Sequence, residues 1–193
     1  IRLHLELMAQ SGSSQATTLI ARIDQLMHTV EQLLMLARAS QALASGHYDT
    51  VNWRDNIFAP LALENETKDH TLIWPQTGSL SVQGDATLLR LMLRNLLENA
   101  VRYSPAGTTI EVRMQEVDDG TLVSVCDQGP GIDEAHRQSI TEPFRRIDQR
   151  YGGSGLGLSI VQRIVQLHRG KLTLENRPEG GLTVGCWIPT KLN

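Results

Sequence analysis

The sequence predicts an α/β (α+β) two-layer sandwich with a mixed sheet and three helices, preceded by part of an antiparallel helical hairpin. Three observations carry this. Between Ala16 and Ala44 the apolar residues Leu19, Ile23, Leu26, Val30, Leu33 and Ala37 step by four and three, the heptad spacing of a helix packed in a bundle. Strand-like runs come in pairs, one over 109–117 and 121–127 around the turn Asp118-Asp119-Gly120, the other over 171–176 and 181–189. Helical patterns over 53–68, 86–103 and 156–167 supply the second layer.

Length and composition set the bounds. A chain of 193 residues suits one medium domain and a small one, and a hydrophobic content of 40% allows a normal core. A net charge of −3 leaves no footprint for nucleic acid. No run reaches the ~20 apolar residues of a membrane span, and no signal peptide is visible. The first residue is Ile1, which reads as a piece of a longer protein. Cys126 and Cys186 both sit in strand-like runs and read as reduced core residues of a cytosolic domain.

In chain order, Ile1, Leu3, Leu5, Leu7 and Met8 fit either strand or helix, and Ser11 to Ser14 is a break. The long helix follows, so 1–46 is expected to be the hairpin and 47–193 the main domain, with Ser45-Gly46-His47 as hinge. Residues 48–52 form a short strand. The helix over 53–68 is expected to turn Ile57, Leu61 and Leu63 to the core. Strands follow at 71–74, ended by Pro75, and at 80–83. Asp85 caps the central helix, and Ser104-Pro105-Ala106-Gly107 closes it. Gly170 ends the last helix, where His168 is explained by the helix dipole.

The chemistry lies on three stretches. On the central helix Asn95, Asn99, Arg102 and Tyr103 fall within an arc of roughly 80°. Amides there offer oxygens to a metal ion and donors to phosphate; a plain solvated face is the competing reading. Next, Cys126-Asp127-Gln128-Gly129-Pro130-Gly131-Ile132 puts a carboxylate at a strand end before a Gly-x-Gly turn, which lets backbone approach a flat ligand. Last, Gly152-Gly153-Ser154-Gly155-Leu156-Gly157-Leu158 runs into a helix whose first N–H groups suit phosphate.

In this order and spacing the three stretches resemble the sensor histidine kinases, with their Bergerat-type (GHKL) ATP-binding fold. Asn95 and Asn99 look like the N box, Asp127, Gly129 and Gly131 like the G1 box, Pro143-Phe144 like the F box, and Gly153 to Gly157 like the G2 box. The resemblance implies ATP and Mg²⁺ as cofactors. A carboxylate accepts from the adenine amino group, which guanine lacks at that position, so Asp127 reads the base; Thr183 looks like the family's threonine beside it. Asn95 and Asn99 would supply amide oxygens to Mg²⁺, Arg102 would face phosphate, and Tyr103 would lie along the nucleotide with Ile132. Phe144 would pack the lid down. Arg146 and Arg150 would reach the departing γ-phosphate, or else are solvated loop cations. The resemblance further implies a homodimer, a response regulator of the PmrA type as partner, and a cytoplasmic domain of a bacterial inner-membrane protein.

Two absences shape the expected reaction. Hydrolytic GHKL ATPases carry Glu four residues before the metal-binding Asn; here that position is Asn95, and an amide is no base. The family's acceptor motif, His-Glu-Leu-(Arg/Lys)-(Thr/Ser)-Pro-Leu, is also missing. His4 precedes Leu5-Glu6-Leu7 without the basic residue or proline and reads as a surface histidine. Phosphoryl transfer to a histidine outside this sequence is therefore expected. A dinucleotide-binding reading of Gly155-x-Gly157 fails because Ile160 replaces the third glycine. A P-loop fails because Leu172 follows Gly170-Lys171. A scaffold module with a degenerate site is the non-enzymatic alternative.

Overall fold

The computed structural model describes residues 14–44, 46, 48–64, 69–76, 80–137, 139–142 and 155–192. The first arm of the expected hairpin lies outside these residues. The chain divides after Arg38 into two compact units.

The long helix, α1, runs Ser14–Ala44. Leu19, Leu26, Val30 and Leu33 of the heptad series are exposed, with Met27, Leu34 and Met35 alongside. The division at Arg38 falls inside α1, several residues before the hinge read from Ser45-Gly46-His47.

In the second unit, β1 (Asp49–Asn52) pairs antiparallel with β3 (Ser81–Gly84). Between them stand a π-helical turn (Trp53–Phe58), α2 (Ala59–Glu64) and β2 (Thr71–Ile73). The expected single helix over 53–68 is thus broken. Asn52 starts the turn by accepting from Asp55 N–H at 3.0 Å. Pro60 has no N–H to give to Asn56, four residues back. Arg90 serves that carbonyl instead, through Nε at 3.3 Å and Nη2 at 3.0 Å. Ile57 and Leu61 are fully buried as expected. Leu63 is 84% exposed, against expectation. It stands two residues from Leu61, about 200° around the helix, and faces water.

The main sheet has the order β2-β4-β5-β7-β6, with β4 at Thr109–Val117, β5 at Gly120–Cys126, β6 at Lys171–Asn176 and β7 at Leu182–Pro189. The β2–β4 pair is parallel and the others antiparallel, the mixed sheet that was expected. Asp118, with φ 53°, makes the tight turn between β4 and β5. The register aligns Val112, Val125 and Val184 in one buried row, with Val123 and Cys186 in the next. Over this face lie α3 (Ala86–Tyr103) and α4 (Gly157–Leu167), which bury Leu88, Met92, Leu96, Ile160 and Ile164. Each such side chain contributes about 1.5–3 kcal/mol relative to exposure. Asp85 caps α3 as expected, accepting from Leu88 N–H at 2.9 Å.

His168 corrects the dipole reading. It is fully buried, and its ring bonds to backbone at both nitrogens. Nε2 accepts the Asp85 backbone N–H at 3.1 Å, so the ring proton sits on Nδ1, 2.8 Å from the Ile164 carbonyl. The ring lies so close to Gly84 that a Cβ there would come 2.6 Å from Cδ2. Burial pulls the imidazole pKa below its ordinary 6.5, against the opposing pulls of the Ile164 hydrogen bond and Asp85. Protonation removes the acceptor and charges a dry site. The unfolded chain therefore takes up the proton first, and the stability due to His168, complete above the unfolded pKa, is lost as pH falls through it toward the folded one. Urea denaturation between about pH 7.5 and pH 5.5 should show a steeper loss for the wild type than for His168→Gln, which does not titrate. Parallel slopes would assign the loss elsewhere.

Candidate functional site

Asp127 leaves the end of β5 and is only 7% exposed. Its N–H donates to the Leu182 carbonyl at 2.9 Å. Its Oδ1 accepts two backbone N–H groups, Gly129 at 2.8 Å and Leu182 at 3.0 Å. Burial raises the carboxyl pKa, while those two bonds and the nearby Arg177 charge hold it back. One oxygen is fixed by backbone; Oδ2 takes no part in those bonds. Thr183 pairs in register with Cys126, its hydroxyl 3.5 Å from Cys126 Sγ. That puts Thr183 beside the strand end that carries Asp127.

The loop after Asp127 is packed on both sides. A Cβ on Gly129 would approach the Tyr103 carbonyl to 2.9 Å, so the turn rests on the end of α3. Gln128 N–H reaches Ser104 Oγ at 3.4 Å. Gly131 has φ +73°, a conformation that favours glycine. Buried Ile132 is bracketed by Asn176, which accepts its N–H at 2.8 Å and donates to its carbonyl at 2.7 Å. Arg177 Nη1 donates to the Asp127 carbonyl at 3.0 Å. Neither Asn176 nor Arg177 was anticipated. Their segment, Asn176-Arg177-Pro178-Glu179-Gly180-Gly181, carries only the signal of a hairpin turn.

On α3 the polar stripe is not uniformly wet. Asn95 is 4% exposed, and its Nδ2 donates to the Leu91 carbonyl at 2.9 Å. Its Oδ1 lies 3.3 Å from where a Gly157 Cβ would stand, with both Asn99 amide atoms at 3.2–3.3 Å. The start of α4 therefore sits over the two amides, and only glycine leaves that space open. Asn99 and Tyr103 are half-buried, and Arg102 is exposed. Leu156 is buried and provides no side-chain cap to α4. Gly155, at φ +71°, precedes it. Leu158 is half-buried. Phe144, Arg146, Arg150, Gly153 and Ser154 lie outside the described residues.

The site thus has two parts joined by the second half of α3. One is an oriented carboxylate with Thr183 and the 127–132 loop. The other is an amide pair under an uncapped helix start, whose N–H groups suit an anion and whose oxygens suit a hard cation.

Residues 84–192 match the family described as histidine kinase-, DNA gyrase B-, and HSP90-like ATPase. Sensor protein BasS of Escherichia coli is 47% identical over 196 residues, covering 99% of this chain and 53% of that protein. Sensor protein kinase PmrB of Pseudomonas aeruginosa is 35% identical, covering 92% of this chain and 38% of that one. The chain thus spans about half the length of BasS. Among solved structures, the mycobacterial sensor histidine kinase MprB superimposes with a TM-score of 0.65 at 27% identity, covering 76% of this chain and 99% of that chain.

The close approach of the β6–β7 turn to the Asp127 backbone can be tested at two neighbouring glycines. Gly180 and Gly181 both have positive φ, +92° and +102°. A Cβ on Gly180 meets nothing, whereas one on Gly181 would collide with the Asp127 carbonyl. Gly180→Ala should cost about 1 kcal/mol of conformational strain, and Gly181→Ala more, up to about 3 kcal/mol. Equal losses in urea denaturation would show that the approach to Asp127 carries no weight.

Proposed function

Because the chain belongs to the histidine kinase-, DNA gyrase B-, and HSP90-like ATPase family, we propose that it is the ATP-binding catalytic region of a two-component sensor histidine kinase. In this reading it binds Mg-ATP and transfers the γ-phosphate to a histidine on a dimerisation hairpin, for relay to a response-regulator aspartate. The observation that carries it is the buried Asp127 carboxylate, with Oδ1 held by two backbone N–H groups and Oδ2 left over to accept from the adenine amino group.

The other residues take roles by chemical fit. The space over Gly157, flanked by Asn95 Oδ1 and the Asn99 amide, suits Mg²⁺, with Asn99 the more exposed of the two ligands. The bound ion supplies neutralisation of phosphate charge. The N–H groups at the start of α4 take phosphate oxygens, Arg102 adds positive charge from the rim, and Tyr103 lies along the nucleotide. Phe144 closes the lid, and Arg146 and Arg150 meet the departing phosphoryl group. Asn95, anchored to Leu91, cannot activate water as Glu would, which favours transfer over hydrolysis.

The exposed apolar stripe on α1 supports a homodimer built through residues 1–46, with 47–193 as the catalytic domain. The likeness to BasS and to PmrB of Pseudomonas supports a PmrA-type regulator as partner, and a cytoplasmic place in an inner-membrane sensor. Among the described residues no helix is long and apolar enough to cross a membrane.

Asp127→Asn should weaken ATP binding by about 1–3 kcal/mol, and ATP should bind more tightly than GTP. Asn99→Ala should weaken binding mainly when Mg²⁺ is present. Calorimetry giving equal ATP and GTP affinities would remove the role of Asp127.

Incubated with γ-labelled ATP, the 193-residue chain should not label itself, because none of its six histidines stands in the acceptor motif. It should label a separate hairpin that carries the motif, more slowly than a tethered one. Acid-labile label on the chain alone, lost in His4→Ala, would reverse the reading of His4.

A further inference from the structure

We propose that Asn176 and Arg177, consecutive residues spanning the end of β6, are positioning residues that aim the Asp127 carboxylate and so set the preference for adenine over guanine. The inference rests on the reading of Asp127 as the adenine anchor. It assigns base selectivity to the β6–β7 hairpin as well as to the glycine turn.

The 127–132 loop carries Gly129 and Gly131, the latter at positive φ, on either side of Pro130, whose ring fixes its own φ. Its two ends are pinned from outside. At the start, the Asp127 carbonyl accepts Arg177 Nη1 at 3.0 Å while the Asp127 N–H is held by Leu182 at 2.9 Å. At the far end, Asn176 bonds both backbone groups of Ile132, at 2.8 and 2.7 Å. One carboxamide that accepts from and donates to the same residue imitates a strand partner and fixes the peptide planes on both sides.

Arg177 is itself oriented. Its Nε donates to Glu179 at 3.1 Å, and Nη2 bonds the same carboxylate. The planar guanidinium then directs Nη1 at Asp127. Its side chain is only 19% exposed, so the arrangement is partly shielded from competing water. Asn176 and Arg177 hydrogen-bond to backbone, not to the Asp127 carboxylate oxygens, which Arg177 reaches only through its charge. A hydrogen bond weakens steeply as its angle departs from linear, so a small rotation of the loop loses the contact that distinguishes adenine from guanine.

The test measures affinity for ATP, GTP and inorganic triphosphate, each with Mg²⁺, by calorimetry. Asn176→Ala and Arg177→Ala should lower ATP affinity about tenfold, with GTP and triphosphate changed by less than about twofold. Arg177→Lys, which still offers a donor to the carbonyl, should keep most of the ATP:GTP ratio. Hydrogen exchange at the Gly129, Gly131 and Ile132 amides should rise in Asn176→Ala. If that variant does not fold, the comparison of Glu179→Ala with Arg177→Lys replaces it, with the ratio lowered in the first and kept in the second. Equal losses for all three ligands, or an unchanged ATP:GTP ratio, would overturn the inference while leaving Asp127 as anchor. A wild-type chain without adenine preference would overturn the anchor reading and this inference together.

Discussion

A carboxylate taken almost wholly out of water must be met by donors, and that demand organises the catalytic unit. At Asp127 the donors are peptide N–H groups from two separate segments, the turn at Gly129 and the start of β7 at Leu182. Side-chain donors can adjust; peptide donors cannot move without their strands. β7 must therefore lie antiparallel to β5 in the register that sets Thr183 opposite Cys126. The β6–β7 turn must fold back far enough for Gly181 to touch the Asp127 carbonyl, and Gly181 tolerates that approach only because it has no Cβ. Sheet order, register and turn chemistry all serve one buried carboxyl group.

The two helices over the sheet are tied at both ends. Near the amide pair, α4 begins on Gly157, directly over Asn95 and Asn99. At the other end, His168 follows α4 and accepts the N–H that opens α3. The helices therefore run antiparallel, and each sets the axial position of the other. Asn95 owes its burial to this pairing, since the start of α4 covers it. A residue counted among a wet stripe by its type is, in the fold, an anchored acceptor.

Much of this was legible in the sequence where the signal is local. The Asp127 strand end, the glycine run before α4 and the Asp85 cap are each spelled out within a few residues. The antiparallel pairs were legible through alternation and turns. Leu63 was misplaced because apolar type was weighed above helical phase, and Pro60 with the π-helical turn breaks the helix on which that phase rested. Asn176, Arg177 and His168 escaped for a different reason. Asn176 bonds a residue 44 positions away, Arg177 one 50 away, and His168 one 83 away. No spacing rule reaches across such gaps, and each residue taken alone has an ordinary surface or terminal explanation.

The two cysteines have a practical consequence. Cys126 and Cys186 are both fully buried, and burial pushes the Cys186 thiol up to about 12. Alkylating reagents must reach the sulfur and act on thiolate; burial shuts off both native thiols, and Cys186 is in addition held protonated at neutral pH. A single cysteine introduced at Leu63, whose side chain is 84% exposed, is open to the reagent where the two buried native thiols are not. Spectroscopic labels can then be attached to the catalytic unit at a chosen point without first removing either native sulfur from the sheet.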